Sequence, residues 1–222
     1  MERVPQRYVV VEGVIGVGKT TLVQQLGQRL GAREVLEEFE SNPFLPRFYA
    51  DREAHALSTQ LFFLMSRFRQ QERLAQGELF RPFTVADYLF AKDRIFAELT
   101  LAGAEMTIYD QLFEVLTPRV PRPDLVIYLR ADIEVVLGRI AERGRDYEKD
   151  MDPGYIRDLG AAYDRFFARP QSAPVMVVDT GHVDLRREGP VLSAIEEAVR
   201  TGVIPSRLDE RGPSATPSLF QP

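Results

Sequence analysis

Short β-branched runs alternate with longer amphipathic stretches along this chain. Residues 8–12 read Tyr-Val-Val-Val-Glu, a run typical of a strand that is buried on both faces of a sheet. A glycine-rich turn follows, and residues 20–30 then repeat apolar side chains at the three- and four-residue spacing of a helix. The order strand, glycine loop, helix predicts the beginning of a βαβ unit.

The same alternation continues toward the C-terminus. Further strands are predicted at residues 34–38, 83–86, 123–129 and 175–178. Helices are predicted at residues 55–76, 108–116, 133–142, 155–167 and 192–199. A further helix is predicted to follow the third strand and to end at Leu101. Strands that alternate with helices favour a parallel sheet covered on both faces, so we predict an α/β fold with five parallel strands.

The end of the chain differs in composition. From Pro205 the sequence is polar and rich in proline and serine. Such a segment has little apolar surface to bury, which disfavours a packed structure. We therefore predict one domain over residues 1–204 and a flexible tail over residues 205–222.

Composition narrows the possible chemistry. The chain has no cysteine and two histidines, which excludes a disulfide scaffold and a thiolate zinc site and disfavours a histidine metal cage. The net charge of −5 disfavours binding to nucleic acid through bulk charge. No run approaches the roughly 18 to 20 apolar residues of a membrane helix, and the charged N-terminus leads into a strand. We expect a cytoplasmic protein that does not bind membranes.

Lysine is rare in this chain. Of its 28 basic residues only Lys19, Lys92 and Lys149 are lysines. Codon usage or heat adaptation is the simplest explanation of the bias toward arginine. The positions that keep lysine are nevertheless of interest for function.

A phosphate-binding pattern lies between the first strand and the first helix. Residues 13–20 read Gly-Val-Ile-Gly-Val-Gly-Lys-Thr and match G-x-x-x-x-G-K-[ST] in full. In this P-loop, glycines let backbone N–H groups turn toward phosphate oxygens, the lysine reaches the β- and γ-phosphates, and the threonine hydroxyl meets Mg²⁺. The alternative is an ordinary glycine-rich turn. The predicted nucleotide-binding residues of the loop are Gly13, Gly16, Val17, Gly18, Lys19, Thr20 and Thr21.

A P-loop identifies a nucleotide rather than a reaction. The guanine-reading pattern N-K-x-D is absent, and the D-x-x-G string at residues 209–212 lies in the predicted tail, which disfavours a switch GTPase. A chain of 222 residues also leaves little room for a motor or transporter ATPase. A small kinase is therefore the leading class.

Several separated motifs carry a family resemblance. They are residues 13–20, Glu37-Glu38 with residues 42–45, Gln60 with Arg67, Asp87 with Asp93-Arg94, and Arg139 with Arg143-Gly144-Arg145. With these motifs the chain resembles the deoxynucleoside kinase family over residues 8–200, and specifically its bacterial deoxyadenosine/deoxyguanosine kinases. The resemblance implies a P-loop kinase fold with an arginine-rich lid, ATP as phosphoryl donor, Mg²⁺, a purine deoxynucleoside as acceptor, and a homodimer.

Phosphoryl transfer to a sugar hydroxyl benefits from a carboxylate that accepts the hydroxyl proton. A glutamate at the C-terminal end of the second strand, beside the P-loop strand, could meet that hydroxyl. By resemblance Glu37 is this general base, since it lies two residues before Phe39 and five before Asn42. Glu38 stays open as the alternative, as does a solvated pair of glutamates at a strand end.

Residues that would recognise the acceptor lie on the long predicted helix. Gln60 and Arg67 are seven residues apart and share one helix face. A carboxamide there could pair with the edge of a nucleobase. The resemblance implies that Gln60 reads the base together with Arg67 and Asp93, and that Tyr49 binds the sugar 3′-hydroxyl. The alternatives are that Gln60 faces solvent, that Arg67 forms a surface ion pair, and that Tyr49 is a half-buried loop residue.

The stretch after the third strand departs from the family pattern. Relatives carry an acid-Arg-Ser triplet there, whereas this chain has Asp87-Tyr88-Leu89 and is one residue shorter in the stretch from there to Ile95-Phe96-Ala97. By resemblance Asp87 still helps to hold Mg²⁺, but the usual arginine is missing. We predict that Lys92 supplies this positive charge to orient Glu37; an ordinary surface lysine is the alternative.

Arginines cluster at a predicted helix end. Arg139 and Arg143 share a helix face, and Gly144 would let Arg145 turn toward the same site. Arginines at a mobile helix end suit a lid that closes on phosphates and stabilises transition-state charge, against the alternative of a solvated basic helix end. We predict that Arg139 and Arg143 bind the nucleotide and that Arg143 and Arg145 assist catalysis. By resemblance Glu148 would reach the sugar 3′-hydroxyl.

Two other functions compete with a deoxynucleoside kinase. A nucleoside monophosphate kinase of the thymidylate kinase type has the same fold, but its phosphorylated acceptor would favour arginine in place of Glu37. A nucleotide-binding regulator without kinase activity would leave Tyr49, Gln60 and Arg67 unexplained.

Overall fold

The computed structural model describes residues 7–38, 41–75, 82–145, 148, 152–205, 207–210 and 212–214. The strands are Arg7–Glu12 (β1), Arg33–Val35 (β2), Phe83–Ala86 (β3), Leu125–Arg130 (β4), Val175–Asp179 (β5), Arg207–Asp209 (β6) and Gly212–Ser214 (β7). The helices are Lys19–Leu30 (α1), Leu45–Ala50 (α2), Arg52–Ala75 (α3), Lys92–Thr100 (α4), Gly103–Leu116 (α5), Ile133–Arg143 (α6), Pro153–Phe167 (α7) and Pro190–Thr201 (α8).

The strands form one sheet in the order β2-β3-β1-β4-β5-β6-β7. Strands β1 to β6 are parallel, and β7 is antiparallel to β6. The predicted α/β fold with a parallel sheet is confirmed, but the predicted number of five strands is wrong.

The two additional strands lie in the segment from Pro205 that the sequence predicts to be a flexible tail. β6 pairs with β5 through Val178 and Leu208, and the Leu208 side chain is fully buried. One leucine in a polar, proline-rich stretch carries too little periodicity to indicate a strand. Burial of Leu208 at the edge of the sheet stabilises the pairing of this segment with β5.

Element boundaries differ most around the predicted general base. β2 ends at Val35, so that Glu37 and Glu38 follow the strand instead of ending it. The sequence does not predict α2, because the Asn-Pro-Phe-Leu stretch at residues 42–45 indicates a break. Pro46 occupies the first turn of this helix, where the N–H that proline lacks has no helical partner.

The main core lies between the sheet and its helices. Val9, Val10 and Val11 of β1 are buried, as are Ile127 of β4 and Val178 of β5. Such continuous apolar strands require cover on both faces of the sheet, which the helices provide. This rigid centre fixes the C-terminal end of β1, where the P-loop begins.

A second core joins α2, α3, α4 and α5. It is rich in aromatic side chains: the rings of Phe90 and Phe113 stack with their centroids 5.4 Å apart, and Phe68 packs edge-on against Phe90. This packing holds α3 against α4. None of the helices in the described ranges is both long and apolar enough to span a membrane.

Candidate active site

The P-loop has the backbone conformation that its glycines predict. Gly13 has a φ of 149° and Gly16 a φ of 84°, in the region that favours glycine. A Cβ atom on Gly13 would lie 2.4 Å from the Leu129 carbonyl oxygen, and one on Gly16 would lie 2.6 Å from a side-chain carbon of Ile140. The loop therefore packs closely on β4 and α6 while it leads directly into α1.

Lys19 is the first residue of α1, and its side chain folds back over the P-loop. Its Nζ donates to the carbonyl oxygens of Gly13 at 2.7 Å and Val14 at 3.2 Å. Desolvation of this ammonium, and next the positive charge of Lys92, lower the pKa of Lys19 to about 8. A phosphate in the loop would therefore stabilise the charged form of Lys19.

Glu37 lies at the centre of a cluster of charged side chains. Its Oε1 accepts hydrogen bonds from Arg67, one of them from Nε at 2.7 Å, and its Oε2 accepts from Lys92 Nζ at 2.7 Å. Burial raises the pKa of Glu37, but the charges and hydrogen bonds of Arg67 and Lys92 outweigh burial and hold this pKa well below its ordinary value. The carboxylate is therefore ionised at neutral pH, the form that can accept a proton. Glu38, by contrast, is exposed.

Arg67 connects Glu37 to the interior of the second core. It pairs with Asp93, which is fully buried, and its guanidinium lies over the Phe63 ring with Cζ 4.6 Å from the centroid. Asp93 thus contacts Arg67 and lines neither of the pockets described below. Its predicted role beside a nucleobase would have to be exerted through Arg67.

Lys92 is a buried residue and not a surface lysine, since its side chain is 3% exposed. Besides Glu37 it faces Glu12, whose Oε1 lies 3.6 Å from Nζ. Glu12 is the last residue of β1 and is fully buried; it also accepts hydrogen bonds from the N–H groups of Gly13 and Leu89, both at 2.8 Å. Lys92 therefore joins the P-loop strand to the carboxylate of Glu37.

Asp87 and Thr20 offer the oxygen ligands that suit Mg²⁺. The Thr20 hydroxyl donates to Asp87 Oδ2 at 2.8 Å, and Asp87 Oδ1 accepts the backbone N–H of Glu37 at 2.7 Å. Burial, and next the negative charge of Glu37, raise the pKa of Asp87. A divalent cation at this hydroxyl and carboxylate would offset that repulsion, so the residues present fit the metal.

The arginines after β4 divide into two groups. Arg139 donates to the carbonyl oxygens of Val17 at 3.1 Å and Thr180 at 2.6 Å, and so braces the P-loop against the loop after β5. Arg143 donates to both carboxylate oxygens of Glu148, at 3.1 and 2.6 Å, and Arg145 lies 3.6 Å from the same carboxylate. Glu148 thereby holds Arg143 and Arg145, which line both pockets described below.

Two pockets meet at the P-loop. The first, here called the P-loop pocket, is lined by residues 16–21, by Arg139, Glu142, Arg143 and Arg145, and by residues 181–186 after β5. The second, the Glu37 pocket, extends from the P-loop to α3 and includes Glu37, Tyr49, Gln60, Arg67, Asp87, Lys92 and Glu148. Both pockets share Gly16, Lys19, Thr20, Arg143 and Arg145. A phosphate bound at Lys19 would therefore face both pockets.

Most residues predicted from the sequence are brought together here. Of the predicted site residues, all of which the structure describes, only Gly13 and Asp93 line neither pocket. Gly13 instead receives the Lys19 hydrogen bond through its carbonyl group.

Sequence reasoning misses some residues of the site. Glu12 carries a signal that could have found it, because a carboxylate that directly follows three valines in a buried strand needs a partner. Thr100, which accepts a hydrogen bond from Gln60, carries no such signal. Apart from Tyr49, the aromatic residues that line the Glu37 pocket are indistinguishable from core in the sequence; they are Phe48, Phe63, Phe96, Tyr155 and Tyr163.

Comparisons with known proteins agree with this geometry. A family model described as "Deoxynucleoside kinase" matches residues 9–203. The chain is 35% identical over 167 residues to deoxyguanosine kinase of Bacillus subtilis (strain 168), covering 75% of this chain and 81% of that protein. It is 33% identical over 184 residues to deoxyadenosine/deoxycytidine kinase of the same organism, covering 80% and 84%. The solved structure of deoxyadenosine kinase from M. mycoides with bound dATP shares the fold, with a TM-score of 0.74, 22% identity, and coverage of 88% of this chain and 100% of that one.

Proposed function

The chain belongs to the deoxynucleoside kinase family, and from that premise we propose that it transfers the γ-phosphoryl group of ATP to the 5′-hydroxyl of a purine deoxynucleoside. Deoxynucleoside kinase activity, a phosphotransferase reaction, follows from the family. The donor, the base and the residue roles given below are the proposal.

The observation that carries the proposal is the pair of pockets that share Lys19 and Thr20. ATP in the P-loop pocket would present its γ-phosphate to the Glu37 pocket, where the acceptor would lie. Glu37 lines that pocket as an ionised carboxylate. This arrangement would bring donor, acceptor and proton acceptor to one point, which is most of what phosphoryl transfer requires.

In the proposed reaction the 5′-oxygen attacks the γ-phosphorus and the bond from that phosphorus to the β,γ-bridging oxygen breaks, which yields ADP and the 5′-monophosphate. Glu37 accepts the proton that leaves the 5′-hydroxyl. Lys19, Arg143 and Arg145 stabilise the negative charge on the transferring group. Thr20 and Asp87 would hold Mg²⁺, which when bound neutralises charge on the donor phosphates.

Support for a purine acceptor comes from the relatives. Those named above are a deoxyguanosine kinase and a deoxyadenosine/deoxycytidine kinase, at 35% and 33% identity. We propose deoxyadenosine or deoxyguanosine as substrate. Gln60, with Arg67 behind it, lies at the α3 end of the Glu37 pocket and offers a carboxamide to the base.

One assay tests the proposal and its competitors. Purified protein is mixed with Mg-ATP and, in turn, each of the four deoxynucleosides, the matching ribonucleosides and dTMP, and ADP release is followed. We expect the highest kcat/KM with a purine deoxynucleoside. Phosphorylation of dTMP but of no nucleoside would instead support a monophosphate kinase, and no turnover with any acceptor would support a regulator.

The role of Glu37 has a matched control in the next residue. We expect Glu37→Gln to lower kcat about a hundredfold or more while ATP binding is retained, because the variant removes the proton acceptor. Glu38→Gln changes an exposed carboxylate and is expected to keep kcat within about threefold of wild type. If Glu38→Gln were the inactive variant, the assignment of the base would be wrong.

We also propose that the protein is a homodimer, the assembly implied by the family resemblance. The observation that favours it is an apolar face on α5, where Ile108, Leu112 and Val115 are exposed at the spacing of one helix face. Light scattering after size exclusion should give a dimer for wild type and a monomer for Leu112→Glu. A monomeric wild type would refute this part of the proposal.

A further inference from the structure

A chain of two hydrogen bonds links Gln60 of α3 to the backbone of α4. The Thr100 hydroxyl donates to the Phe96 carbonyl oxygen one helical turn earlier, at 2.8 Å, and the Gln60 Nε2 donates to the Thr100 hydroxyl oxygen at 3.2 Å. A hydroxyl has one hydrogen, and two oxygen atoms 2.8 Å apart require that hydrogen between them. The Thr100 oxygen can therefore only accept from Gln60.

This constraint decides which end of the carboxamide faces Thr100. If the amide turned over, its oxygen would meet the Thr100 oxygen with no hydrogen between them. The NH₂ group must therefore point to Thr100, and the carbonyl oxygen Oε1 must point elsewhere. The orientation of a glutamine amide, which is usually free to turn, is set here by a neighbouring hydroxyl.

The other end of the amide has an unmet requirement. Gln60 is 2% exposed and lines the Glu37 pocket, and among the described residues its Oε1 is a buried oxygen with no hydrogen-bond partner. A buried acceptor left without a donor is unfavourable. A ligand that places a donor opposite Oε1 would remove this penalty, whereas one that places an acceptor there would not.

We propose that Thr100 determines base selectivity, as a positioning residue that fixes the order in which Gln60 presents acceptor and donor to the nucleobase. This inference rests on the proposed function, because it assumes that the base lies at Gln60. Thr100 itself lies outside the lining of the Glu37 pocket and acts through the amide.

Two nucleosides differ in the property that a fixed amide would sense. On its Watson–Crick edge, adenine has a donor amino group at C6 and an acceptor at N1. Hypoxanthine, the base of deoxyinosine, has an acceptor oxygen at C6 and a donor N1–H, which reverses the order. A carboxamide held in one orientation matches one of these edges and opposes like groups on the other. An amide free to turn matches either.

The experiment compares kcat/KM for deoxyadenosine and deoxyinosine in wild type, Thr100→Val and Thr100→Ser. We expect wild type to discriminate between the two nucleosides by about tenfold or more, in either direction, since each mismatched pair on a base edge costs this much or more. Valine keeps the shape of threonine without its hydroxyl and should bring the ratio to within about threefold of one. Serine keeps the hydroxyl and should preserve the wild-type ratio.

The ratio separates positioning from general damage. A loss of packing at α4 would lower kcat/KM for both nucleosides together and would leave their ratio unchanged. Thr100→Ala, which removes the hydroxyl with a smaller side chain, provides a second test if Thr100→Val does not fold. The proposal is overturned if wild type does not discriminate, if the folded Val or Ala variant keeps the wild-type ratio, or if Thr100→Ser loses it. Failure of the proposed function would look different, because wild type would then phosphorylate none of the deoxynucleosides.

Discussion

Replacement of Lys92 by methionine would test the prediction that this lysine supplies the charge of the missing arginine. Methionine has a similar length and no charge, so the change removes the ammonium while it keeps most of the packing. Lys92 Nζ lies 2.7 Å from Glu37 Oε2 and 3.6 Å from Glu12 Oε1. Glu12 is fully buried and the Glu37 side chain is 12% exposed, so water can replace little of what is lost.

The size of the expected stability loss follows from these distances. At an effective dielectric constant of about 20, unit charges at 2.7 Å attract by about 6 kcal/mol and those at 3.6 Å by about 5 kcal/mol, before desolvation of the ammonium is subtracted. Loss of one partner from a buried ion pair lowers the free energy of unfolding by about 3–5 kcal/mol, and we expect that range here. Turnover should fall about a hundredfold or more, because Glu37 is no longer held in place.

The pH dependence of the stability loss in Lys92→Met identifies its cause. In wild type the pKa of Glu37 is lowered on folding, so its stabilising contribution is present above the unfolded pKa and is lost as the pH falls through the folded value. In Lys92→Met burial is opposed by Arg67 alone, and the pKa of Glu37 should rise. The stability difference between wild type and variant, measured by urea unfolding, should therefore be largest near about pH 7 and smaller near about pH 3.5, below the ordinary pKa of a glutamate.

Two further variants control this experiment. Arg94→Met removes a half-exposed cation from the same helix and should cost less than about 1 kcal/mol with full activity. Lys92→Arg should recover part of the activity that Lys92→Met loses, since it restores the charge. A stability difference that is the same at both pH values, or turnover of Lys92→Met within about threefold of wild type, would refute an electrostatic role for this lysine.

Three other predictions concern the P-loop, the lid and the edge of the sheet. Because the pKa of Lys19 in the free enzyme is about 8, kcat/KM for ATP should decline above that pH as the ammonium loses its proton, while kcat at saturating ATP stays level to higher pH because bound phosphate stabilises the charged form. Glu148 lines the Glu37 pocket and not the P-loop pocket, and by resemblance it binds the sugar 3′-hydroxyl, so in steady-state kinetics Glu148→Gln should raise KM for the deoxynucleoside about tenfold with a smaller change in KM for ATP. Leu208→Ala should lower the free energy of unfolding by about 2–3 kcal/mol in urea without a change in kcat, and a loss below about 0.5 kcal/mol would mean that β6 contributes little.

The sequence predicts the parts of this molecule whose signal is local. The P-loop is a contiguous string whose glycines adopt the backbone angles that the pattern demands, and the strands around it are apolar runs. The second core and β6 are different. Leu208 becomes a strand residue because an edge of the sheet is open beside it, and α2 forms across a stretch that reads as a break. Such elements depend on tertiary contacts, which a single sequence does not display.

The same distinction applies within the site. Glu37, Gln60 and the charge of Lys92 beside Glu37 could be predicted from motifs and from the rarity of lysine, but the contacts of Arg67 with Glu37 and of Thr100 with Gln60 could not. Lys92, Arg67 and Thr100 act on these two residues across separations of 55, 30 and 40 positions. The packing of α3 against α4 brings Gln60 to Thr100 and places Arg67 and Lys92 beside Glu37, which follows β2. That packing depends on aromatic residues that a sequence does not distinguish from ordinary core.

The rarity of lysine now has a physical explanation at two of its three positions; Lys149 lies outside the described residues. The interior of the site contains more negative than positive groups. Its buried carboxylates are Glu12, Glu37, Asp87, Asp93 and Glu148, and its cations, apart from the partly exposed Arg143 and Arg145, are Lys19, Arg67 and Lys92.

Arginine and lysine make different kinds of contact in this interior. Arg67 uses its planar, forked guanidinium to bridge two carboxylates that lie on different sides of it, Glu37 and Asp93. Lys92 and Lys19 lie where one compact charge with three donors has to reach neighbours at a tight loop or a strand end. In a chain that otherwise uses arginine, lysine at positions 19 and 92 is therefore better explained by these contacts of a compact ammonium than by codon usage. The same argument predicts that Lys92→Arg recovers activity only in part, because a guanidinium is larger than the buried ammonium that it would replace between Glu12 and Glu37.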